Sequence, residues 1–175
     1  ALYNSADIDR AVVIGKNAIY AGNATAAADG TIAIGYDALR DLTSAAGNVA
    51  IGYEALNDCT TANRCVGIGY QALDAITTGA SGTGHCTAVG YAALGATTGK
   101  SNTGFGMGAG DTISTGSNNT CMGSESNVSA SGAVNQTAIG FQTTGQADNS
   151  VTLGNADVEA IYMAQDKGAI VYANY

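Results

Sequence analysis

A short motif recurs along almost the whole chain, and each copy is anchored by a glycine. The clearest copies read TIAIGYDAL (31–39), NVAIGYEAL (48–56), CVGIGYQAL (65–73) and CTAVGYAAL (86–94). Weaker copies bring the total to nine, and the commonest spacing between successive anchors is 17 residues. The anchors are Gly15, Gly35, Gly52, Gly69, Gly90, Gly106, Gly123, Gly140 and Gly154. A repeat of this period predicts stacked structural units rather than one globular core.

The residues before each anchor alternate in character. A large apolar residue precedes the glycine, a β-branched residue lies two positions earlier, and a mostly small residue separates them, as in Val49, Ala50 and Ile51. This period of two predicts a short strand in every copy. One short strand cannot bury itself, so we expect the copies to stack as parallel strands about 4.8 Å apart. The chain is therefore predicted to be all-β, a parallel β-solenoid of about nine turns over residues 11–158.

Each turn is expected to hold a second short strand over the YxAL segment. Its leucines should point inward; they are Leu39, Leu56, Leu73 and Leu94. Length differences between copies fall after this segment, in residues 40–47 and 74–85, which we interpret as loops on one side of the stack. Residues 1–10 are predicted to be a lead-in segment. Residues 159–175, with a turn at 166–168, are predicted to form a C-terminal hairpin cap or neck.

Composition supports a repeat and excludes several other classes. Leu, Ile, Val and Phe amount to only 31 of 175 residues, which is too few for an ordinary core. Charged residues make up only 11%, which is too few for a disordered chain. The net charge is −8 and the six Lys and Arg residues are scattered, so we expect no nucleic-acid partner. No apolar run is long enough to cross a bilayer, so no membrane insertion is expected.

The xVAIGYxAL core resembles the head repeats of trimeric autotransporter adhesins. The longer-period copies, and the closing stretch SVTLGNADVEAIYMAQDKGAIVYA, look still more like bacteriophage tail fibres and tailspikes, in the segment before their intramolecular chaperone domain. The resemblance implies a left-handed β-roll of three chains around one axis. It also implies attachment to a host surface and a longer parent chain. Copies six and seven depart from the motif, since Met107 and Gly110, then Ser124 and Asn127, replace the Tyr and Leu.

Four tyrosines follow successive anchors and should form a ladder on the stack. They are Tyr36, Tyr53, Tyr70 and Tyr91. One interpretation makes them a ligand-binding stripe for sugars, and these four residues are the only ligand-binding candidates in the sequence. The other makes them a half-buried structural ladder whose hydroxyls reach solvent, and the accompanying inward leucine favours this second interpretation.

No arrangement of residues indicates catalysis. The single histidine, His85, precedes Cys86, but neighbours in a strand point to opposite faces, so His85 is interpreted as a loop-edge residue. Asp41, Asp58 and Asp74 start equivalent loops, where a stacked acidic ladder would bind a cation or simply face water; the solvated interpretation is favoured. The GFGMGAG run at 104–110 lacks the strand–helix context of a nucleotide loop. We expect no enzyme, no cofactor and no metal.

The four cysteines allow a bridge or free thiols. Cys65 and Cys86 occupy the same position in successive copies, at about the rung spacing, but their side chains should point in parallel, which is poor disulfide geometry. Free thiols are favoured over a 65–86 bridge. Cys121 takes a small-residue position and should be a buried thiol, while Cys59 lies in a loop.

The predicted function is that of a non-enzymatic module of a trimeric surface fibre. Its expected partners are two further copies of the chain and a cell-surface receptor or glycan, and its expected location is extracellular or on a virion surface. The alternatives are a purely structural spacer of such a fibre and the head of a bacterial trimeric autotransporter. An ice-binding solenoid is less favoured, because Thr87, Thr103, Thr120 and Thr137 lack the paired threonines of a Thr-x-Thr array.

Overall fold

The computed structural model describes residues 10–20, 29–76 and 84–161, which contain nine strands and no helix. All nine strands run parallel and lie in sequence order in one sheet. The predicted all-β parallel solenoid is confirmed, with about seven turns; a count of nine stays a prediction. The strands are β1 (Val12–Ile14), β2 (Ile32–Ile34), β3 (Val49–Ile51), β4 (Val66–Ile68), β5 (Thr87–Val89), β6 (Thr103–Phe105), β7 (Thr120–Met122), β8 (Gln136–Ile139) and β9 (Ser150–Leu153).

Equivalent residues of successive copies pair with each other across the sheet. Val49 pairs with Val66, Ala50 with Gly67 and Ile51 with Ile68, and the same register holds from β1 to β9. Each position of the repeat therefore becomes a column of like residues that runs along the solenoid axis. The segments 1–9, 21–28, 77–83 and 162–175 lie outside the described residues, and with them most of the predicted lead-in segment and of the predicted C-terminal hairpin.

In strands β2 to β8 a small residue (Ala, Gly or Cys) faces the core, and the two larger residues beside it face outward. Ala50 is fully buried, whereas Ile14 and Phe105 are 58% and 53% exposed. The small side chains leave room for the four leucines of the YxAL segments, which are fully buried as predicted. A further buried column comes from the loops that follow and was not predicted; it consists of Leu42, Cys59, Ile76, Thr97 and Ile113.

The prediction of a second strand over the YxAL segment is wrong, because this segment forms a turn. Its variable residue and its leucine both have positive φ, as at Glu54 (53°) and Leu56 (52°). Left-handed backbone is costly for a leucine, so burial of the side chain must stabilise it. The turn still pairs with its neighbour, since the Leu56 N–H donates to the carbonyl of Ala72 at 3.0 Å.

The sixth copy keeps the same turn with different residues. Gly108 (φ 61°) and Gly110 (φ 71°) take the two left-handed positions that carry side chains in copies two to five. A Cβ on Gly110 would lie 2.6 Å from Cδ2 of Leu94 and 3.1 Å from Cδ1 of Ile113. These two neighbours fill the space of the missing leucine, so the GFGMGAG run is a tighter repeat turn.

Polar side chains line one column of the core, directly before the strands. Asn119 accepts a hydrogen bond from the backbone N–H of Gln136 at 2.9 Å, and its side-chain amide donates to the carbonyl of Ala133 at 2.7 Å. Asn102 accepts from the backbone N–H of Asn119 in the same way. Asn48 repeats the pattern toward Cys65 and Ala62. These buried amides supply partners to backbone groups where the chain bends into each strand.

Candidate interaction surface

The outward residues of the nine strands form one continuous surface, which we call the outer sheet face. It comprises two columns, the first running Val12, Ile32, Val49, Val66, Thr87, Thr103, Thr120, Thr137 and Val151, and the second Ile14, Ile34, Ile51, Ile68, Val89, Phe105, Met122, Ile139 and Leu153. With strands about 4.8 Å apart and about 3.3 Å per residue, the face measures roughly 38 Å by 10 Å, or about 400 Å². Fourteen of its eighteen residues are apolar and the other four are threonines, and an exposed, largely apolar stripe of this size commonly marks an interaction site.

The four tyrosines stack beside this face, one residue past the anchor glycines. The centroids of successive rings are 5.1, 5.0 and 5.2 Å apart, and the ring planes are parallel to within 10°. Their exposed fractions run from 38% at Tyr36 to 56% at Tyr91. The Nζ atom of Lys16 extends the column over the ring of Tyr36, at 5.8 Å from the centroid. We call this column the tyrosine ladder.

Stacking limits what the tyrosine ladder can bind. Each of the two inner rings, Tyr53 and Tyr70, has both faces covered by neighbouring rings, and the outer face of Tyr36 carries the Lys16 ammonium. The exposed parts of the inner rungs are therefore ring edges and hydroxyls. A sugar that packs flat on an aromatic ring needs a free ring face, which these two rungs do not offer. The arrangement favours the interpretation of a structural ladder that widens the outer sheet face.

Three aspartates, one within and two after the YxAL turns, surround one arginine. Arg40 contacts Asp41 at 2.9 Å, Asp58 at 3.6 Å and Asp37 at 3.7 Å. The hydrogen bonds that Arg40 donates to Asp41, together with the nearby carboxylates, raise the pKa of Arg40 above its usual range, so the guanidinium stays charged. Arg40 thus neutralises part of a cluster that was predicted to consist of carboxylates alone.

The predicted equivalence of Asp74 with Asp41 and Asp58 is wrong by one position. The Asp58 N–H donates to the carbonyl of Asp74, just as the Asp41 N–H donates to that of Asn57, so Asp74 is level with Asn57. In the fourth copy the aspartate follows the leucine directly, so Asp74 is half-buried where Asp58 is exposed. Burial raises the pKa of Asp74, and the neighbouring carboxylates of Asp58 and Glu54 add to the effect.

His85 and Cys86 point to opposite sides, as the sequence predicts. His85 is exposed beside Arg64, at 3.4 Å from its guanidinium, while Cys86 is fully buried. Burial raises the pKa of the Cys86 thiol to about 11, whereas a nucleophilic cysteine needs a lowered pKa. All four cysteines are buried and unpaired, so the preference for free thiols over a 65–86 bridge is confirmed, as is the buried position of Cys121.

A groove opens at the C-terminal end of the described solenoid. Its volume is about 540 Å³, and its lining comes from copies eight and nine: Gln142, Thr144, Gln146, Thr152, Gly154, Asn155, Ala156 and Asp157. The ninth copy departs from the repeat after its anchor, where NADV replaces the YxAL pattern. Thr152 stands where copies two to eight place Ala, Gly or Cys, so the last inward position is polar and only half-buried. This departure is the one sequence signal that could have indicated the groove.

Three further observations bear on function. Within residues 10–20, 29–76 and 84–161, no three His, Cys, Asp or Glu side chains are grouped so as to hold a metal ion. The same ranges contain no helix long and apolar enough to cross a membrane. No protein-family model and no curated protein matches the chain.

Proposed function

We propose that this chain is a non-enzymatic module of a trimeric surface fibre, of the bacteriophage tail-fibre type, that attaches its particle to a host or cell surface. The observation that carries the proposal is the exposed outer sheet face. Strands β2 to β4 present only Ile and Val on it, and these side chains are only half-buried in the single chain, as Ile51 and Ile68 are. A second and a third copy packed on this face would remove it from water.

The geometry of the face suits a fibre. All nine strands present it on one side of the stack, and the tyrosine ladder runs beside four of them, so the face extends along the axis of the solenoid. Three such stacks around a common axis would bury three apolar stripes together. The number three, the left-handed winding and the nine-turn count come from the resemblance and the sequence repeat.

The remaining properties follow from this assignment. The fibre would lie outside the cell or on a virion, with a cell-surface receptor or glycan as its partner. It needs no cofactor, no nucleic acid and no membrane insertion. A pure spacer would share the trimer but not the attachment, and a bacterial autotransporter head would differ in the surface that carries it.

Attachment and assembly can be tested on the same samples. The full chain, fluorescently labelled, is applied to a panel of bacterial cells and scored by flow cytometry, with Ile51→Lys as the variant and Thr115→Lys as the matched control on an exposed residue outside the sheet. We expect the wild type and the control to bind some cells as trimers. Ile51→Lys should lose the trimer and most of the binding, because avidity is lost. A trimer that binds no cells would favour the spacer, and cell binding that Ile51→Lys leaves unchanged would overturn the proposed interface.

A further inference from the structure

We infer that the groove at the C-terminal end of the solenoid is a binding site for a neutral oligosaccharide. The inference deepens the proposed attachment function, on which its biological use rests, by giving that function a contact site and a ligand class. The groove has a volume of about 540 Å³, which falls within the range of small-molecule binding sites. It belongs to copies eight and nine and is lined by none of the outward residues of the outer sheet face.

The lining is rich in groups that both donate and accept hydrogen bonds. Six of the eight lining residues that the structure describes carry polar side chains: two glutamines, two threonines, one asparagine and one aspartate. Sugar hydroxyls likewise donate and accept, so amides and hydroxyls satisfy them without a net charge. The two other residues are Gly154 and Ala156.

The charge of the groove restricts the chemical class of the ligand further. Among the lining residues that the structure describes, up to residue 161, Asp157 is the only ionisable one, and no Lys, Arg or His accompanies it there. A phosphate, sulfate or carboxylate ligand would meet a carboxylate with no counter-charge, in a chain whose net charge is already −8. A neutral saccharide avoids this repulsion and can donate to the carboxylate, which is the stronger kind of hydrogen bond.

The amides of the groove are already oriented. The Gln142 side chain donates to Glu125 at 2.7 Å, and that of Gln146 donates to the carbonyl of Thr144 at 2.9 Å. The side-chain oxygen of Asn155 accepts from the Asp157 N–H at 3.0 Å. Each side-chain amide is thus fixed by one hydrogen bond within the protein. The glutamine oxygens and the Asn155 nitrogen remain available to a ligand. Groups held in place before binding cost less ordering entropy when a ligand arrives.

The test uses the full chain with defined saccharides. Lactose, maltotriose and N,N′-diacetylchitobiose are the neutral probes, and 3′-sialyllactose is the acidic counterpart; binding is measured by saturation-transfer NMR and titration calorimetry. The variants are Asn155→Ala and Gln146→Ala, with Thr152→Val to remove a hydroxyl while keeping the side-chain shape. Thr115→Ala, an exposed residue outside the groove, is the control.

We expect at least one neutral probe to bind, and the acidic probe to bind more weakly than lactose. Each groove variant should weaken binding about five- to tenfold, the effect of losing one hydrogen bond, while Thr115→Ala changes nothing. No binding of any neutral probe at millimolar concentration would overturn the inference, and so would binding that the groove variants leave unchanged. The native mass of each sample keeps this result separate from the proposed function, because a trimer that attaches to cells without binding these probes contradicts only the groove.

Discussion

Gly52 lies directly against Gly69 of the next copy, so closely that a Cβ on Gly52 would overlap the carbonyl oxygen of Gly69. Its φ of 139° is also one that side-chain-bearing residues rarely adopt. The same relationship recurs along the anchor column, as between Gly35 and Gly52 and between Gly69 and Gly90. The anchor is therefore glycine for two independent reasons, the backbone conformation and the close approach of the next turn.

Gly52→Ala should destabilise the fold by at least ~2 kcal/mol, because strain and overlap act together. The check is the free energy of unfolding from a urea titration. Gly132→Ala is the matched control, since its Cβ would meet only Oγ1 of Thr115, at an ordinary 3.5 Å. This control should be neutral or slightly stabilising. Equal stability of the two variants would contradict the role assigned to the anchors.

Asn119→Ala should lower the free energy of unfolding by about 2–4 kcal/mol. It removes the acceptor of the Gln136 N–H and the donor to the Ala133 carbonyl, and leaves both backbone groups without these partners inside the core. Thermal or urea unfolding measures the loss, with Thr115→Ala as an exposed control expected to change stability by less than ~0.5 kcal/mol. A loss as small as that of the control would mean that water replaces the amide.

Asp74→Asn should raise the melting temperature at pH 7. Burial and the nearby Asp58 and Glu54 raise the pKa of Asp74 above its ordinary 3.8, so ionisation destabilises the folded state. A group whose pKa is raised in the folded protein contributes its full stability below its ordinary, unfolded-state pKa. That contribution is lost as the pH rises through the pKa of the folded state. The gain from Asp74→Asn should therefore disappear below pH 3.8 in thermal scans.

Asp148→Ala provides a control of the opposite sign. Hydrogen bonds from the Val134 N–H and the Gln136 side chain lower the pKa of Asp148 below 3.8. Its contribution to stability is present above that pH and is lost as pH falls through the folded value. This variant should lower the melting temperature at pH 7 and match the wild type in strong acid. The same sign of change for both variants would contradict these assignments.

The four thiols should be inert in the folded protein and free after unfolding. Burial raises the pKa of Cys59 and of Cys121 to about 12, and that of Cys86 to about 11, so little reactive thiolate exists near pH 8. Ellman's reagent under non-reducing conditions should find no fast-reacting thiol in the native protein and four in denaturant. A count of two in denaturant would instead indicate a disulfide.

Much of the fold follows from the sequence, because one short strand repeats with one anchor. The pairing of Ile51 with Ile68 and the burial of Leu56 follow from the repeat alone. The YxAL turn does not, because its alternation mimics a strand, and only backbone geometry reveals a leucine with positive φ. The column that includes Leu42 was missed since it lies in segments of variable length and composition.

The candidate surfaces were predicted less completely than the fold. The tyrosine ladder follows from the repeat, but the occupied ring faces require the distances between rings. Which strand face is the inner one could not be decided, because both faces of the pattern are apolar; the small residue proves to be the inner one. The C-terminal groove arises where the repeat fails, at Thr152 and Asn155, and periodicity says nothing about such positions.

The native mass of the assembly tests the central claim most directly, because burial of the outer sheet face requires further copies of the chain. Native mass spectrometry or light scattering at micromolar concentration should give three times the 17.3 kDa chain mass. A stable, soluble species of single-chain mass under the same conditions would contradict the trimeric fibre, since the apolar stripe from Val12 to Leu153 would then face water.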